Sequence, residues 1–291
     1  MDRVEKILYK INKQGKGLEI GPSHSPIASK SDGFDVEIID CMDKESLIEH
    51  FKNDPVDITK IEEVDHVWKG ESYSALTKKP NYYDWILSSH SIEHTTDLIG
   101  FLNDCDNILK DDGVISLAIP DKRYYFDYFR PASGIGKIID YYRNKNVRHS
   151  YGTHIEFSLN FCERDSVSSW PEGSEGIFSL NYDASTALSI AENAETSPEY
   201  TDAHEWCFTY SSFRLIIQDL YELGFIKLRE VHSFPSTGNE FHITLGRHGA
   251  GTNKSRLDLL ADIDAENIRS TPEEKKGEKV VEKKWWQTFF K

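Results

Sequence analysis

Three scarcities set limits on this 291-residue chain. Cysteine occurs four times, at Cys41, Cys105, Cys162 and Cys207, widely spaced and with no CxxC pair. That excludes a zinc ribbon and a disulfide framework and leaves the four as reduced thiols. Positive charge is short as well. Lys and Arg number 34 against 49 Asp and Glu, a formal charge of -15, and such a surface repels a phosphate backbone, so nucleic acid is not an expected partner. Long apolar runs are missing near the N-terminus, where Val4, Ile7, Leu8 and Ile11 follow helical spacing instead. No signal peptide or spanning segment is expected there, and the chain is expected in the cytoplasm.

What is present is enough apolar residue, 38% of the chain, for one large domain or a core carrying an insertion. The first third alternates short apolar runs with amphipathic stretches. Runs at residues 18–21, 36–39, 61–64, 85–87 and 114–119 read as strands, the last closed by Pro120. Helices are expected between them, one capped by Asp43 and one beginning after Thr95 or Thr96. Strands that feed helices imply right-handed crossovers and a parallel sheet. Signals blur over residues 131–200, with helical patterns near 135–142 and 183–194, the mark of an insertion over the sheet. A helix then starts at Ser211 or Ser212 and stops at Gly224. Runs at 226–231 and 241–245 follow, separated by too little chain for a crossover, so they should pair antiparallel. The expected fold is α/β: a Rossmann-like, seven-stranded, mostly parallel sheet with an antiparallel C-terminal hairpin, helices on both faces, and an insertion covering the active site.

The loop after the first run contains Gly21 and two prolines, Pro22 and Pro26, where a dinucleotide fold wants GxGxxG to approach a pyrophosphate. The missing glycines argue against NAD, whereas a nucleoside without phosphates asks less of those amides. Asp40, nineteen positions after Gly21, can accept from both ribose hydroxyls, or else cap a helix.

These residues resemble the class I S-adenosylmethionine-dependent methyltransferases. Leu18-Glu19-Ile20-Gly21 is similar to their first motif and Asp40 to the acidic ribose ligand. The run from Tyr83 to His94 resembles the fourth-strand motif, and Leu109 to Pro120 the turn and fifth strand. Gly21-Pro22-Ser23-His24, Ile119-Pro120-Asp121-Lys122-Arg123-Tyr124 and His204-Glu205-Trp206-Cys207-Phe208-Thr209 resemble a subgroup associated with bacterial surface polysaccharide synthesis. Two departures stand out: Pro22-Ser23 occupies the place of a second glycine, and Asp111-Asp112 replaces the Pro-Gly of the family turn.

The resemblance implies S-adenosylmethionine as cofactor and O-methylation of a sugar or surface-glycan intermediate. The rival readings are a non-catalytic cofactor- or partner-binding member of the fold and a nucleotide-sugar-modifying dehydrogenase. Expected cofactor residues are Glu19, Gly21, Pro22, Ser23, Asp40, Asp65 (adenine amino group), Ser89 and His90; Glu93 and His94 are expected to orient the following helix. A hydroxyl acceptor needs a base, for which histidine is best matched near neutral pH. His204 is the first choice, His154 the second, and Asp121 accompanies them; Arg123 and Tyr124 are expected to hold the sugar by bidentate bonds and stacking. No spacing is diagnostic of a metal.

The domain organisation expected is a cofactor-binding core at 1–130, an insertion or substrate lid at 131–205, the rest of the core sheet at 206–248, and a charged tail with an aromatic end at 249–291. At helical spacing, Trp285, Trp286, Phe289 and Phe290 would share one face bordered by lysines. The tail is expected to dock either on the inner membrane surface or on protein, this chain's own core or a second copy in a homo-oligomer.

Overall fold

The computed structural model describes residues 1–268. In chain order its first half comprises α1 (Arg3–Ile7), β1 (Gly17–Ile20), β2 (Val36–Asp40), α2 (Lys44–Phe51), β3 (His66–Val67), α3 (Tyr73–Thr77), β4 (Tyr83–Ser89), α4 (Leu98–Ile108) and β5 (Leu109–Pro120). There follow α5 (Ile135–Asn144), α6 (Tyr151–Asn160), β6 (Cys162–Arg164), β7 (Phe178–Leu180), α7 (Ala184–Thr196), α8 (Tyr210–Glu222), β8 (Arg229–Thr237), β9 (Glu240–Gly246) and α9 (Arg256–Glu266). Seven strands form one sheet in the order β3-β2-β1-β4-β5-β9-β8, and β6 pairs with β7 apart from it. Strands β1 to β5 run parallel, and β9 is antiparallel to both β5 and β8. The expected sheet and its C-terminal hairpin are therefore present.

The central strand β4 is buried on both faces, as a parallel strand covered by helices must be. Ile86 joins the cluster formed with α4 and α8, whereas Trp85 and Leu87 join the one beneath α1. Tyr83 breaks the period-two alternation and faces the α4 side, because the β4–β5 register shifts between Tyr83 and Trp85. On α4 the residues Leu98, Phe101, Leu102, Cys105 and Ile108 all point into this core. Each fully buried Leu or Ile there contributes about 1.5–3 kcal/mol by removal from water.

Several local expectations are corrected. No α-helix follows β1. The connection holds only a single 3-10 turn at Lys30–Asp32, since Pro22 and Pro26 supply no amide for a helical ladder. The third strand is His66–Val67 rather than 61–64. Helix α4 is capped by Asp97, whose carboxylate accepts from the Gly100 amide, and α8 by Thr209 in a capping box with Ser212. Asp43 does cap α2, and Gly224, at φ +77, follows α8 as expected. The segment between β5 and α8 carries α5, α6, α7 and the β6–β7 hairpin, with Ile138 and Tyr141 of α5 packed into the main core. Among the described residues no helix is long and apolar enough to cross a membrane. The expectations for residues 269–291 lie outside the described residues.

Candidate active site at the carboxyl edge of the sheet

Open α/β sheets bind ligands outside the carboxyl ends of their strands, where loops diverge. On β1, Glu19 is buried beneath the first loop and accepts from the amides of Ile27 and Ala28 at 2.7 and 3.1 Å. Burial pushes its carboxyl up to about 7 against the pull of those two amides. Gly21 turns the chain at φ +65, and a Cβ there would meet Ser91 Oγ at 2.9 Å. Ser23, also at positive φ, donates its amide to Asp40 Oδ2 at 2.9 Å, while Cys41 N donates to Oδ1 at 2.7 Å.

Asp40 closes β2 with 5% exposure. The Met42 amide and the Cys41 thiol also interact with this carboxylate, whose place at the carboxyl end of β2 is where a ribose diol would meet an acceptor. Beside it, Trp68 follows β3 with 40% of its surface exposed, and its amide donates to Asp40 O. Its flat face suits an adenine ring. Further along the edge, His24 Nδ1 and Ser88 Oγ are buried without a hydrogen-bond partner among the described residues. A nucleoside with a sulfonium tail fits this set: an acidic pair of acceptors, an aromatic face, orphaned polar atoms and a close-approach glycine.

Asp65 is not part of that edge. It precedes β3 instead of following it, and its carboxylate accepts from Ile38 N at 2.8 Å and Lys30 Nζ at 2.6 Å. Its adenine role is corrected, because the strand it was placed after begins one residue later.

Beyond β4 the chain enters a dense polar cluster. Ser89 Oγ accepts from Arg3 of α1, which also grips Glu240 at the start of β9. His90 has φ +51 and its Nε2 lies 2.7 Å from Glu240 Oε2. A non-glycine residue held there marks a constrained position. Tyr125 stands between His90 and His204, with its ring stacked on His204 at 5.9 Å and 12°. His204 is 4% exposed and its Nδ1 lies 2.5 Å from Asp127 Oδ2. Arg130 clamps the pair, donating to Asp127 Oδ1 and to His204 O, both at 2.8 Å. Despite its burial, the Asp127 carboxyl is held well below the usual range by His204 and Arg130. His94 approaches His204 edge-on at 4.6 Å, and its Nδ1 lies 2.8 Å from Asp202. Burial would lower the His94 pKa, yet Asp202, Glu93 and Asp127 hold it at about 9.

The remaining expected site residues separate from this cluster. Asp121 is fully buried, but Arg123 chelates it at 2.9 and 2.6 Å and Ser236 Oγ donates to it at 2.5 Å. It joins the end of β5 to the β8–β9 turn and faces no reacting group. Arg123, spent on Asp121 and lying over the Tyr124 ring at 5.1 Å, is part of the same clamp. His154 sits on α6 with its ring edge-on to His149 at 5.7 Å, and burial and His149 lower its pKa to about 4. A pKa that low leaves it neutral but a poor proton acceptor, which makes it a weaker candidate for the base than His204. Glu205, next to His204, is a structural hub: it takes His149 Nδ1 at 2.8 Å, Lys137 Nζ at 2.6 Å and Thr153 Oγ1 at 2.9 Å. Sequence reasoning missed Arg3, Trp68, Asp127 and Glu240. Only Trp68 left a local signal, an aromatic residue directly after a strand.

A family model described as a methyltransferase domain matches residues 1–169. Among solved structures, a SAM-dependent methyltransferase from Aquifex aeolicus is 13% identical, covering 84% of this chain and 88% of its own, with TM-score 0.42. A SAM-dependent methyltransferase from Methanosarcina mazei is 16% identical over 84% and 97%, with TM-score 0.41. A Pyrococcus horikoshii OT3 protein is 12% identical over 84% and 89%, with TM-score 0.42. No curated protein matches the chain. With more than half its length under the family model and the nucleoside-ready edge described above, the chain belongs to the methyltransferase-domain family and is an S-adenosylmethionine-dependent methyltransferase.

Proposed function

We propose that the methyl acceptor is a hydroxyl group of a sugar or surface-glycan intermediate, as the motifs shared with polysaccharide-synthesis methyltransferases imply. The observation that carries the reading is the 2.5 Å contact of His204 Nδ1 with Asp127. A carboxylate at Nδ1 fixes that nitrogen as the proton-bearing one and leaves the Nε2 lone pair to meet the acceptor. A hydroxyl needs such a group; an amine or a thiolate needs it less. With S-adenosylmethionine bound to supply the methyl group, His204 Nε2 would accept the proton that the acceptor hydroxyl gives up. Asp127 and Arg130 hold the imidazole in place, and the aromatic rings of Tyr125 and Phe126 keep water from the transfer. A cleft of about 340 Å³ near Arg130, lined also by Ser133, Lys137, Ser150, Thr153 and Glu156, does not include His204 in its lining and is not assigned to the acceptor.

The test is incubation of the full-length protein with S-adenosylmethionine and a panel of free sugars, nucleotide sugars and lipid-linked glycans, with products read by mass spectrometry and linkage analysis. One added O-methyl group on a sugar is expected. His204→Gln is expected to lower turnover by about a hundredfold or more while S-adenosylhomocysteine affinity holds. Methylation at nitrogen or carbon only, or unchanged turnover in that variant, overturns the reading.

A further inference from the structure

Glu93 is the least satisfied charged group at the edge. Its side chain is 1% exposed, and neither carboxylate oxygen has a hydrogen-bond partner among the described residues. The ion-pair neighbours recorded for it are imidazoles, His90 Nδ1 and His94 Nε2, both 3.9 Å from Oε1. His94, whose pKa Glu93 helps raise to about 9, is one opposite charge near it, but it stands beyond hydrogen-bond reach, so the cost of removing this carboxylate from water is only partly offset. Its backbone carbonyl, by contrast, is fully used, accepting from the amides of Glu205 and Trp206 at 2.8 and 3.1 Å. The residue is therefore held rigidly with its charged end turned to the space between His94 and His204.

Those two histidines present a matching arrangement. Each has a carboxylate at Nδ1: His204 is hydrogen-bonded to Asp127 at 2.5 Å, and His94 lies 2.8 Å from Asp202 as an ion pair without hydrogen-bond geometry. Metal-binding histidines are oriented by such outer partners, which fix the tautomer and leave the other nitrogen to ligate. Ligand atoms from Glu93, His94 and His204 all lie within 4.8 Å of one another. Tetrahedral ligands at the usual Zn–N and Zn–O lengths stand about 3.3 Å apart, so side-chain rotations closing the widest pair by up to about 1.5 Å complete the set.

We propose that Glu93, His94 and His204 form a binding site for a divalent cation of the zinc and first-row transition type. Two imidazoles and one carboxylate select such ions over Mg²⁺ or Ca²⁺, which prefer all-oxygen shells. Three protein ligands also leave a position open, on the side where the acceptor hydroxyl is placed by the function proposed above, and the inference rests on that reading only for this consequence. An occupied site converts His204 from proton acceptor to ligand, since one lone pair cannot do both. A bound cation would polarise the acceptor oxygen, and the hydroxyl would release its proton to water at the open position.

Binding can be measured without acceptor or turnover. Full-length protein stripped with a chelator is titrated with ZnCl2 by calorimetry and with CoCl2 by visible absorption. One ion per chain is expected, with the intense d–d bands of a low-symmetry Co²⁺ site and a raised thermal midpoint. Glu93→Gln and His94→Gln are each expected to weaken binding by about a hundredfold, while His248→Gln, on the far surface, leaves it unchanged. Glu93→Gln carries a second readout. It is expected to raise the melting temperature of the metal-free protein, by relieving a buried charge, and to lose the further rise that zinc gives the unsubstituted chain. Absence of saturable binding, or binding and metal-free stability both unaffected by Glu93→Gln, overturns the cation site and leaves the His204 base standing. Saturable binding without methylation of any sugar supports the site and overturns the acceptor reading instead.

Discussion

Asp40 is the side chain we propose for ribose recognition: it ends β2 and its carboxylate shapes the Gly21 loop through Ser23 N. Two charge-assisted bonds to a ribose are each worth about 1.5–3 kcal/mol, so Asp40→Ala is expected to weaken S-adenosylhomocysteine binding by about a hundredfold or more. Titration calorimetry on the folded variant checks this, and unchanged affinity removes Asp40 from the site. Asp127 acts at one remove, through His204. Asp127→Asn keeps the shape but offers Nδ1 a different partner, so turnover is expected to fall about tenfold to a hundredfold with little change in cofactor affinity. A purely structural role would instead lower the melting temperature and the cofactor affinity together. At this scale Asp40 was legible because it ends a strand of clear apolar character. Asp65 was misplaced because β3 is two residues long and its apolar approach, residues 61–64, outweighs it. Asp127 was illegible: its meaning comes from a residue 77 positions away.

Strand β1 and its loop form the most constrained element. Gly17 permits β1 to pass the Trp85 ring, whose atoms a Cβ would meet at 2.0 Å, so alanine there has no room in a ring that is itself fully buried. Glu19 two positions on ties the strand to the loop, and its titration has a definite sign. Its folded pKa of about 7 lies above the unfolded value of 4.5, so the native state binds the proton more tightly across that interval. Stability is therefore lost as pH rises from 4.5 through 7, by up to about 3 kcal/mol. His94 and His149, both raised, add a decline in the same direction at higher pH. The difference between the unsubstituted chain and Glu19→Gln isolates the carboxyl: melting temperature against pH is expected to fall less steeply between pH 5 and 7 in the variant. Parallel slopes would show that the carboxyl is not protonated in that range. The strands and most helices here were readable from periodicity and caps. The helix expected after β1 was not formed, since two prolines outweigh the habit of α/β folds.

Across the whole molecule, Glu205 fastens α5 and α6 to the stretch before α8 through His149, Thr153 and Lys137, and its amide ties that stretch to the chain after β4 by donating to Glu93 O. Breaking a buried ion pair by removing one partner costs about 3–5 kcal/mol, so Glu205→Ala is expected to lose stability on that scale. Hydrogen exchange should accelerate first in α5 and α6; uniform protection in the variant would place the fastening elsewhere. Much about this protein follows from local chemistry that each residue carries with it. Apolar periodicity specifies strands and helices, Gly21 its turn, and Asp40 a carboxylate at a strand end, so the α/β class could be read from the sequence. Tertiary structure alone decided which polar side chains meet. His204 was one histidine among several until Asp127 and Arg130 closed on it, Asp121 seemed catalytic until Arg123 and Ser236 saturated it, and Glu93 seemed a helix-orienting residue until burial left it unpartnered. Burial and pairing depend on contacts between residues distant in the chain, and they set the charge and reactivity of each group.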